Sequence, residues 1–199
     1  MVAIITGDIV NSREGKELDW LASLKFALNT YGRHEQDWEI YRGDSFQIKT
    51  SVEDSLAACI FIKACIKEHQ LLDVRMAIGI GETKESNGKI TEQQGDAFYK
   101  SGHCFENLKS SNLAVETGNE NHDTILNLMM ELGSLTFDSW TNVDAITLKT
   151  AMENPTSTQK EIAKKLNKSP STVSFSLQKA GYKEILKLLE FYKNLMLKS

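Results

Sequence analysis

The chain has 199 residues, of which 41% are hydrophobic and 25% charged, a composition typical of a globular protein with one large or two smaller domains. No apolar run approaches the roughly 18 residues that a membrane helix needs, and the first residues lack the basic lead of a signal peptide. The three cysteines, Cys59, Cys65 and Cys104, have no metal-ligand spacing and are expected to be reduced. We therefore expect a cytoplasmic protein that does not enter a membrane.

The charge is divided unevenly along the chain. Residues 156–199 contain nine lysines and three acidic residues, so this segment has a net charge of +6. The whole chain has a net charge of −4, so residues 1–155 carry −10. An acidic region followed by a basic one indicates two different roles.

Strand and helix patterns alternate through the first 118 residues. The predicted order is β-α-β-β-α-β-α-β. The predicted strands are one that begins at Val2, the hairpin strands Trp38–Tyr41 and Phe46–Lys49, and the strands Leu71–Gly81 and Leu113–Glu116. The predicted helices are Glu17–Tyr31, Val52–His69 and Gln94–Leu108. Ser51 and Asp54 have the spacing of a capping box, and an exposed loop is expected at Glu85–Gly88. This order predicts an α+β fold with a ferredoxin-like sheet that carries its helices on one face.

Residues 119–199 are predicted to be helical throughout. The expected helices are His122–Phe137, Val143–Met152, Thr158–Leu166, Pro170–Ala180 and Lys183–Leu197. We therefore predict two domains, an α+β domain over residues 1–118 and an all-α domain over residues 119–199.

Two glycine–aspartate pairs, Gly7-Asp8 and Gly43-Asp44, lie at predicted strands of the α+β region. Asp8 comes directly after the buried run at the start of the chain, where that strand is expected to end, and Asp44 lies in the tight turn of the predicted hairpin. If the two strands are neighbours, both carboxylates face one point, and paired carboxylates suit Mg²⁺. The simpler alternative is that both aspartates only shape turns, as aspartate beside glycine often does.

Four short motifs in this region resemble those of class III nucleotidyl cyclases. They are Asp8-Ile9-Val10-Asn11-Ser12, Gly43-Asp44, Arg75–Gly81 and Gly95-Asp96-Ala97-Phe98. Together with a C-terminal helix-turn-helix, they make the chain similar to the SatD family of bacterial proteins over essentially all of its length. The resemblance implies a nucleotidyl cyclase-like domain with a ferredoxin-like sheet.

The resemblance also implies a set of ligand-binding residues. Asp8, the Ile9 carbonyl and Asp44 would hold Mg²⁺. Backbone N–H groups at the next positions would face phosphate oxygens, and these positions are Asn11, Ser12 and Arg13.

The cyclase resemblance breaks down at the catalytic side chains. The family's asparagine and arginine correspond to Tyr99 and His103 in this chain. Without their charge compensation on the transferring phosphoryl group, cyclase turnover is not expected. What the resemblance leaves is a metal- or nucleotide-binding site without turnover.

Residues 158–180 have the pattern of a helix-turn-helix. The buried positions of its two helices are predicted to be Ile162, Ala163, Leu166, Val173 and Leu177. Asn167 is suited to a left-handed turn, Ser169 to an N-cap and Pro170 to the first position of the second helix.

The outward residues of this segment suit DNA. The hydroxyl and amide side chains expected at bases are Ser171, Thr172, Ser174 and Gln178, and the lysines expected at phosphates are Lys164, Lys165, Lys168 and Lys179. Phe175 occupies a position where many recognition helices carry arginine, and it either touches a thymine methyl group or is buried against another helix. The alternative for the whole segment is a three-helix module for protein contacts, with the lysines as a solvated face.

The two patterns together favour a DNA-binding transcriptional regulator. Its degenerate cyclase-like domain would sense a small-molecule or nucleotide effector. The apolar positions of the last predicted helix, which include Tyr192 and Met196, exceed what a lone surface helix needs. This helix is therefore expected to pack on the His122–Phe137 helix or on a second subunit, and the second arrangement would give a homodimer. Two alternatives stay open: an Mg²⁺-dependent nucleotide-processing enzyme that uses Asp8 and Asp44, and a non-catalytic interaction module.

Overall fold

The computed structural model describes residues 1–14, 17–84 and 88–197, which form an α+β fold with one five-stranded sheet. The strands are β1 (Val2–Val10), β2 (Trp38–Tyr41), β3 (Ser45–Thr50), β4 (Asp73–Gly81) and β5 (Leu113–Glu116). The helices are α1 (Glu17–Tyr31), α2 (Ser55–Lys67), α3 (Asp96–Glu106), α4 (Glu120–Phe137), α5 (Asn142–Glu153), α6 (Gln159–Lys165), α7 (Pro170–Lys179) and α8 (Tyr182–Met196). None of these helices is long and apolar enough to cross a membrane.

The sheet has the strand order β2-β3-β1-β4-β5, with β1 at its centre. Neighbouring strands are antiparallel except for β4 and β5, which are parallel. The expectation that β1 ends at Asp8 is wrong, because the ladder with β4 continues to the pair Val10–Asp73. Asp8 is held inside the strand, with Arg75 opposite it on β4 and Ser45 opposite it on β3.

Helices cover both faces of the sheet, so the expectation of helices on one face is wrong. The apolar side chains of α1 and α2 join one core with alternate residues of β1, such as Ile5 and Ile9. α3 lies on the opposite face, where the hydroxyl groups of Thr6 and Ser101 are 2.9 Å apart. This close approach depends on Gly79 of β4, where an added Cβ would lie 2.2 Å from the backbone nitrogen of Ser101.

α2 is buried on nearly all sides. Eleven of its 13 residues are buried, because the sheet covers one side of the helix and the C-terminal helices cover the other. α2 begins at Ser55 rather than at the predicted Val52. The reason is that Ser51 and Asp54 bond to each other across a separate turn, with the Asp54 N–H donating to Ser51 Oγ over 3.1 Å.

The C-terminal helices pack directly onto the α+β region. The predicted boundary between residues 118 and 119 falls in the turn between β5 and α4. The side-chain amide of Asn127 on α4 bonds to both backbone groups of Val115 on β5, at 2.8 and 2.9 Å. Two of the predicted apolar core positions beyond the boundary, Tyr192 and Met196, belong to the same hydrophobic core as the sheet. Residues 85–87 of the predicted Glu85–Gly88 loop lie outside the described residues.

The three cysteines are free thiols, as expected. Cys59 and Cys65 are buried in α2, and Cys104 is half-buried in α3. Burial raises the pKa of Cys65 and of Cys104 to about 12, so neither forms a reactive thiolate near neutral pH.

Replacing Gly79 with alanine is expected to lower the free energy of unfolding by about 1–3 kcal/mol, because the added methyl group forces α3 away from the sheet. Gly102→Ala is the matched control, since Gly102 lies in α3 where an added Cβ meets no atom within 4 Å. This control is expected to raise stability by about 0.5–1 kcal/mol. Urea unfolding measures the free energy of unfolding of both variants. An equal loss of this free energy in the two variants would contradict the close packing described for Gly79.

Candidate functional site

The helix-turn-helix has the local chemistry that its sequence predicts. The Thr158 hydroxyl accepts from the Glu161 N–H while the Glu161 carboxylate accepts from the Thr158 N–H, which closes a capping box at the start of α6. Asn167 has a φ of 51°, and it takes the left-handed turn after α6. Ser169 caps α7 by accepting from the Thr172 N–H, and Pro170 is the first residue of that helix. The predictions for Asn167, Ser169 and Pro170 are confirmed, and the Thr158–Glu161 capping box is an addition to them.

α5 forms a three-helix unit with α6 and α7, so the unit begins before the predicted helix-turn-helix of residues 158–180. Its residue Ala151 joins a core with the predicted inward residues Ile162, Ala163, Val173 and Leu177. The signal that could have extended the unit is Thr141-x-x-Asp144, a second capping box at the start of α5. Leu166 packs against this core and is partly buried.

Asp144 fixes the orientation of α7 on α5. Its buried carboxylate accepts from the Thr141 N–H and hydroxyl, and from the hydroxyl of Ser176 on α7 over 3.0 Å. The ammonium group of Lys179 lies 3.0 Å from the same carboxylate. Burial alone would raise the pKa of Asp144, but the hydrogen bonds from Thr141, Lys179 and Ser176 outweigh it and lower the pKa below its ordinary value of 3.8.

The predicted DNA-facing residues of α6 and α7 are accessible to solvent. Lys168 is half-buried, and the exposed ones are Lys164, Lys165, Ser171, Thr172, Ser174, Phe175, Gln178 and Lys179. Phe175 is 68% exposed, which excludes the alternative that it is buried against another helix of the same chain. Lys179 is available to a phosphate only in part, because its ammonium group is paired with Asp144.

Asp8 and Asp44, the predicted metal ligands, are both engaged by neighbouring side chains. The guanidinium of Arg75 donates to both carboxylate oxygens of Asp8, at 2.8 and 3.1 Å. This bond raises the pKa of Arg75 above its ordinary value. The hydroxyl of Ser12 donates to Asp44 over 2.7 Å, and the N–H of Ile9 donates to the Asp44 carbonyl over 3.1 Å.

The remaining residues of this predicted site follow β1. Asn11 has a φ of 60°, and its side-chain amide donates to the carbonyl of Leu71, while Arg13 is exposed. Within the described ranges there is no group of three or more His, Cys, Asp or Glu side chains that could hold a metal ion. A cation at Asp8 would have to displace Arg75, so these residues as arranged do not fit Mg²⁺, and the metal assignment stays a prediction.

Tyr99 and His103 lie on the solvent side of α3. Their rings are stacked at a centroid distance of 5.9 Å, and both side chains are exposed. The His103 imidazole bonds to Glu116 over 2.8 Å, and this carboxylate raises the pKa of His103. Asp8 is therefore bonded to Arg75 rather than to Tyr99 or His103. The guanidinium carbon of Arg75 also lies over the Phe105 ring, 5.5 Å from the ring centroid.

Comparison with known proteins characterises the C-terminal segment. A family model described as winged helix-turn-helix DNA-binding matches residues 147–180, which include the second half of α5 and all of α6 and α7. No curated protein and no solved structure matches the chain. The match covers less than half of the chain, so it describes this segment alone.

The matched segment ends before the place where a wing would follow. α8 begins at Tyr182, directly after Gly181, whose φ is 73°. The described residues 181–197 contain no strand, so α8 takes the place of a β-hairpin wing. DNA contacts would then rest on α6 and α7.

Replacing Asp144 with asparagine is expected to lower the free energy of unfolding by about 1.5–3 kcal/mol at pH 7, because the charge-assisted bonds to Lys179 and Thr141 are lost. The pKa of Asp144 is lowered in the folded state, so its contribution is present above pH 3.8 and is lost as the pH falls through the folded-state pKa. The gap between wild type and variant should therefore shrink below pH 3.8.

Urea unfolding at pH 7, 5 and 3 measures this gap. Glu161→Gln is the control, since Glu161 closes the other capping box at an exposed position and should cost less. A gap that stays constant from pH 7 to pH 3 would contradict the role given to the Asp144 charge.

Proposed function

We propose that this protein is a cytoplasmic DNA-binding transcriptional regulator. The observation that carries the proposal is the helix-turn-helix of α6 and α7, which matches a winged helix-turn-helix DNA-binding family and presents an exposed polar and basic surface. α7 would enter the major groove, and Lys164, Lys165 and Lys168 would contact phosphates on either side. The +6 charge of residues 156–199 supports this partner in an otherwise acidic chain.

A homodimer is part of this proposal, and α4 supplies the surface. Ile125, Leu128, Leu132 and Leu135 follow the 3-4-3 spacing of a coiled-coil seam, and each is between 45% and 77% exposed. The opposite side of α4 is buried in the core through Leu126 and Met130. A seam of this kind on the outside of a folded chain is typical of a protein interface.

A second copy of the chain suits this surface in shape and charge. An apolar groove of about 310 Å³ lies between α4 and α8, lined by Met129, Leu132, Phe137, Ile185 and Leu188. The acidic residues of α4 are Glu120, Asp123 and Glu131, with no lysine or arginine among them, whereas α8 carries Lys183, Lys187 and Lys193 beside Glu184 and Glu190. The net charges of the two helices, −3 and +1, are opposite in sign, which favours packing α4 of one copy against α8 of its partner.

The area of this surface is sufficient for a dimer. α4 has 18 residues and α8 has 15. The two helices side by side cover about 25 by 20 Å, so two copies would bury roughly 1,000 Å², where specific interfaces begin. A dimer would double the phosphate contacts of a domain that has no wing, and would fix the spacing of two half-sites.

For the α+β region we propose an effector-binding role in a cyclase-like, ferredoxin-like domain of the SatD type. The strand order β2-β3-β1-β4 with antiparallel neighbours supports the ferredoxin-like assignment. An effector would act at the end of β1, near Asp8 and Asp44. A conformational change at the end of β1 would reach the helix-turn-helix through α2, because α5 packs on α2. Lys149 of α5 also bonds to Glu68, directly after α2, over 2.8 Å.

Selection from fragmented genomic DNA at physiological salt is expected to enrich a palindromic fragment that binds two copies of the chain. Substituting Lys164 and Lys165 with alanine should weaken binding to all sequences and reduce the slope of log K against log salt by about 1 per lost phosphate contact. The control is the double substitution of Lys25 and Lys84, which are exposed and lie outside α6, α7 and the proposed α4–α8 interface. Filter binding over a salt series measures both.

The enriched palindromic fragment also tests whether the chain binds as a dimer through α4. Leu132→Glu should give a monomer in analytical ultracentrifugation, with affinity for the palindrome reduced to that for one half-site. Failure to enrich any fragment would overturn the regulator proposal, and a dimer that survives Leu132→Glu would overturn the α4 interface alone.

We expect nucleoside triphosphates to raise the unfolding temperature by binding at the end of β1 beside Asp44, and each is tested with and without Mg²⁺ because Arg75 already occupies Asp8. Asp44→Asn should abolish this increase, and Asp19→Asn, at an exposed position of α1, should keep it. Thermal unfolding with a panel of nucleotides measures the shift, and chromatography of the same mixtures detects product. Product that depends on Asp44 would favour the enzyme alternative. No shift and no product would leave Asp44 as a turn residue and Asp8 as the partner of Arg75 inside β1.

A further inference from the structure

An aromatic ring occupies the centre of the outward face of α7. Phe175 is 68% exposed, while the other large apolar residues of this helix, Val173 and Leu177, are buried. Ser171, Phe175 and Gln178 share one side of the helix, because residues three and four apart are neighbours on an α-helix. An exposed phenylalanine in this position has no packing role in its own chain, so its apolar surface is free for a ligand.

The hydroxyl groups near Phe175 are already committed to the start of α7. The Ser169 hydroxyl lies 2.8 Å from the hydroxyls of both Ser171 and Thr172. This cluster holds the N-cap in place and leaves Ser171 and Thr172 less free to bond to bases. Phe175 and Gln178 are therefore the side chains of this face that are best placed to distinguish one base from another.

The same face lacks a side chain suited to guanine. Arginine or lysine bonding to guanine O6 and N7 is the commonest specific contact in the major groove. The last arginine of the chain is Arg75, and the one lysine of α7, Lys179, is paired with Asp144. An apolar ring instead complements the 5-methyl group of thymine, and a glutamine amide complements adenine.

We propose that Phe175 is a specificity-determining residue that contacts the 5-methyl group of a thymine in the major groove. Gln178, one turn further along α7, bonds to a neighbouring adenine. The inference rests on the proposed DNA-binding function and adds to it the chemical feature that is read. The operator half-site is thus expected to contain adjacent A·T pairs at its centre.

Uracil substitution tests this inference, because uracil differs from thymine only by the missing methyl group. In the enriched fragment, each thymine is replaced by uracil in turn, and the affinity of the full-length protein is measured. Burying one methyl group corresponds to about 0.8 kcal/mol, so wild type should lose about fourfold in affinity at one thymine of each half-site. Phe175→Ala should bind the thymine fragment at least fourfold more weakly than wild type does. The variant should bind the uracil fragment with the same affinity as the thymine fragment.

Two controls keep the result specific. Gln159→Ala, at an exposed position of α6 outside the predicted DNA-facing residues, should preserve the discrimination between thymine and uracil. The unfolding temperature of Phe175→Ala should equal that of wild type, since the ring is exposed.

The outcomes separate this inference from the proposed function. If a fragment is enriched but wild type tolerates uracil at every position, the methyl contact is overturned and DNA binding stands. If Phe175→Ala still binds the thymine fragment more tightly than the uracil fragment, the methyl contact of Phe175 is also overturned, because another residue then contacts the methyl group. If no fragment is enriched, the proposed function itself fails.

Discussion

The burial of α2 on nearly all sides is the constraint on which the rest of the architecture depends. A helix without a solvent face has to be covered on all sides, and here the sheet and α1 cover part of its surface while α5 and α8 cover the rest. The helix-turn-helix is joined to the α+β region through α5, which packs on α2 and contacts both α6 and α7. A displacement of α2 would therefore reach the three-helix unit through α5.

The buried face of α2 contains one charged side chain, and that side chain fixes the corner of the C-terminal region. Lys63 is buried, and its ammonium group is paired with Asp73 on β4 and lies 2.7 Å from Asp138, directly after α4. Lys67 and Asn112 add bonds to the same two aspartates. A buried ammonium group is costly unless it is paired, so this network specifies where α4 ends against the sheet.

Local chemistry made the helix-turn-helix predictable from sequence. The turn at Asn167, the cap at Ser169 and the start at Pro170 depend on neighbouring residues alone, and each has the predicted conformation. The order of strands and helices was also predictable, since apolar periodicity sets it. What the sequence did not reveal depends on partners distant in the chain: β1 continues past Asp8 because Arg75 lies opposite, and Lys179 is held by Asp144. The placement of α3 on the second face depends on Gly79, whose role appears only when the helix is seen against the strand.

The side chain of Asn127 has a consequence for the edge of the sheet. β5 is an outer strand, and its free backbone groups would normally offer a template to any extended chain. The Asn127 amide offers both an N–H donor and a carbonyl acceptor, and at Val115 it copies the two bonds that a further strand would make. α4 thus ends the sheet chemically as well as sterically. A chain that added a strand at this point of β5 would first have to displace the Asn127 amide, so this parallel outer strand is protected against edge-to-edge association.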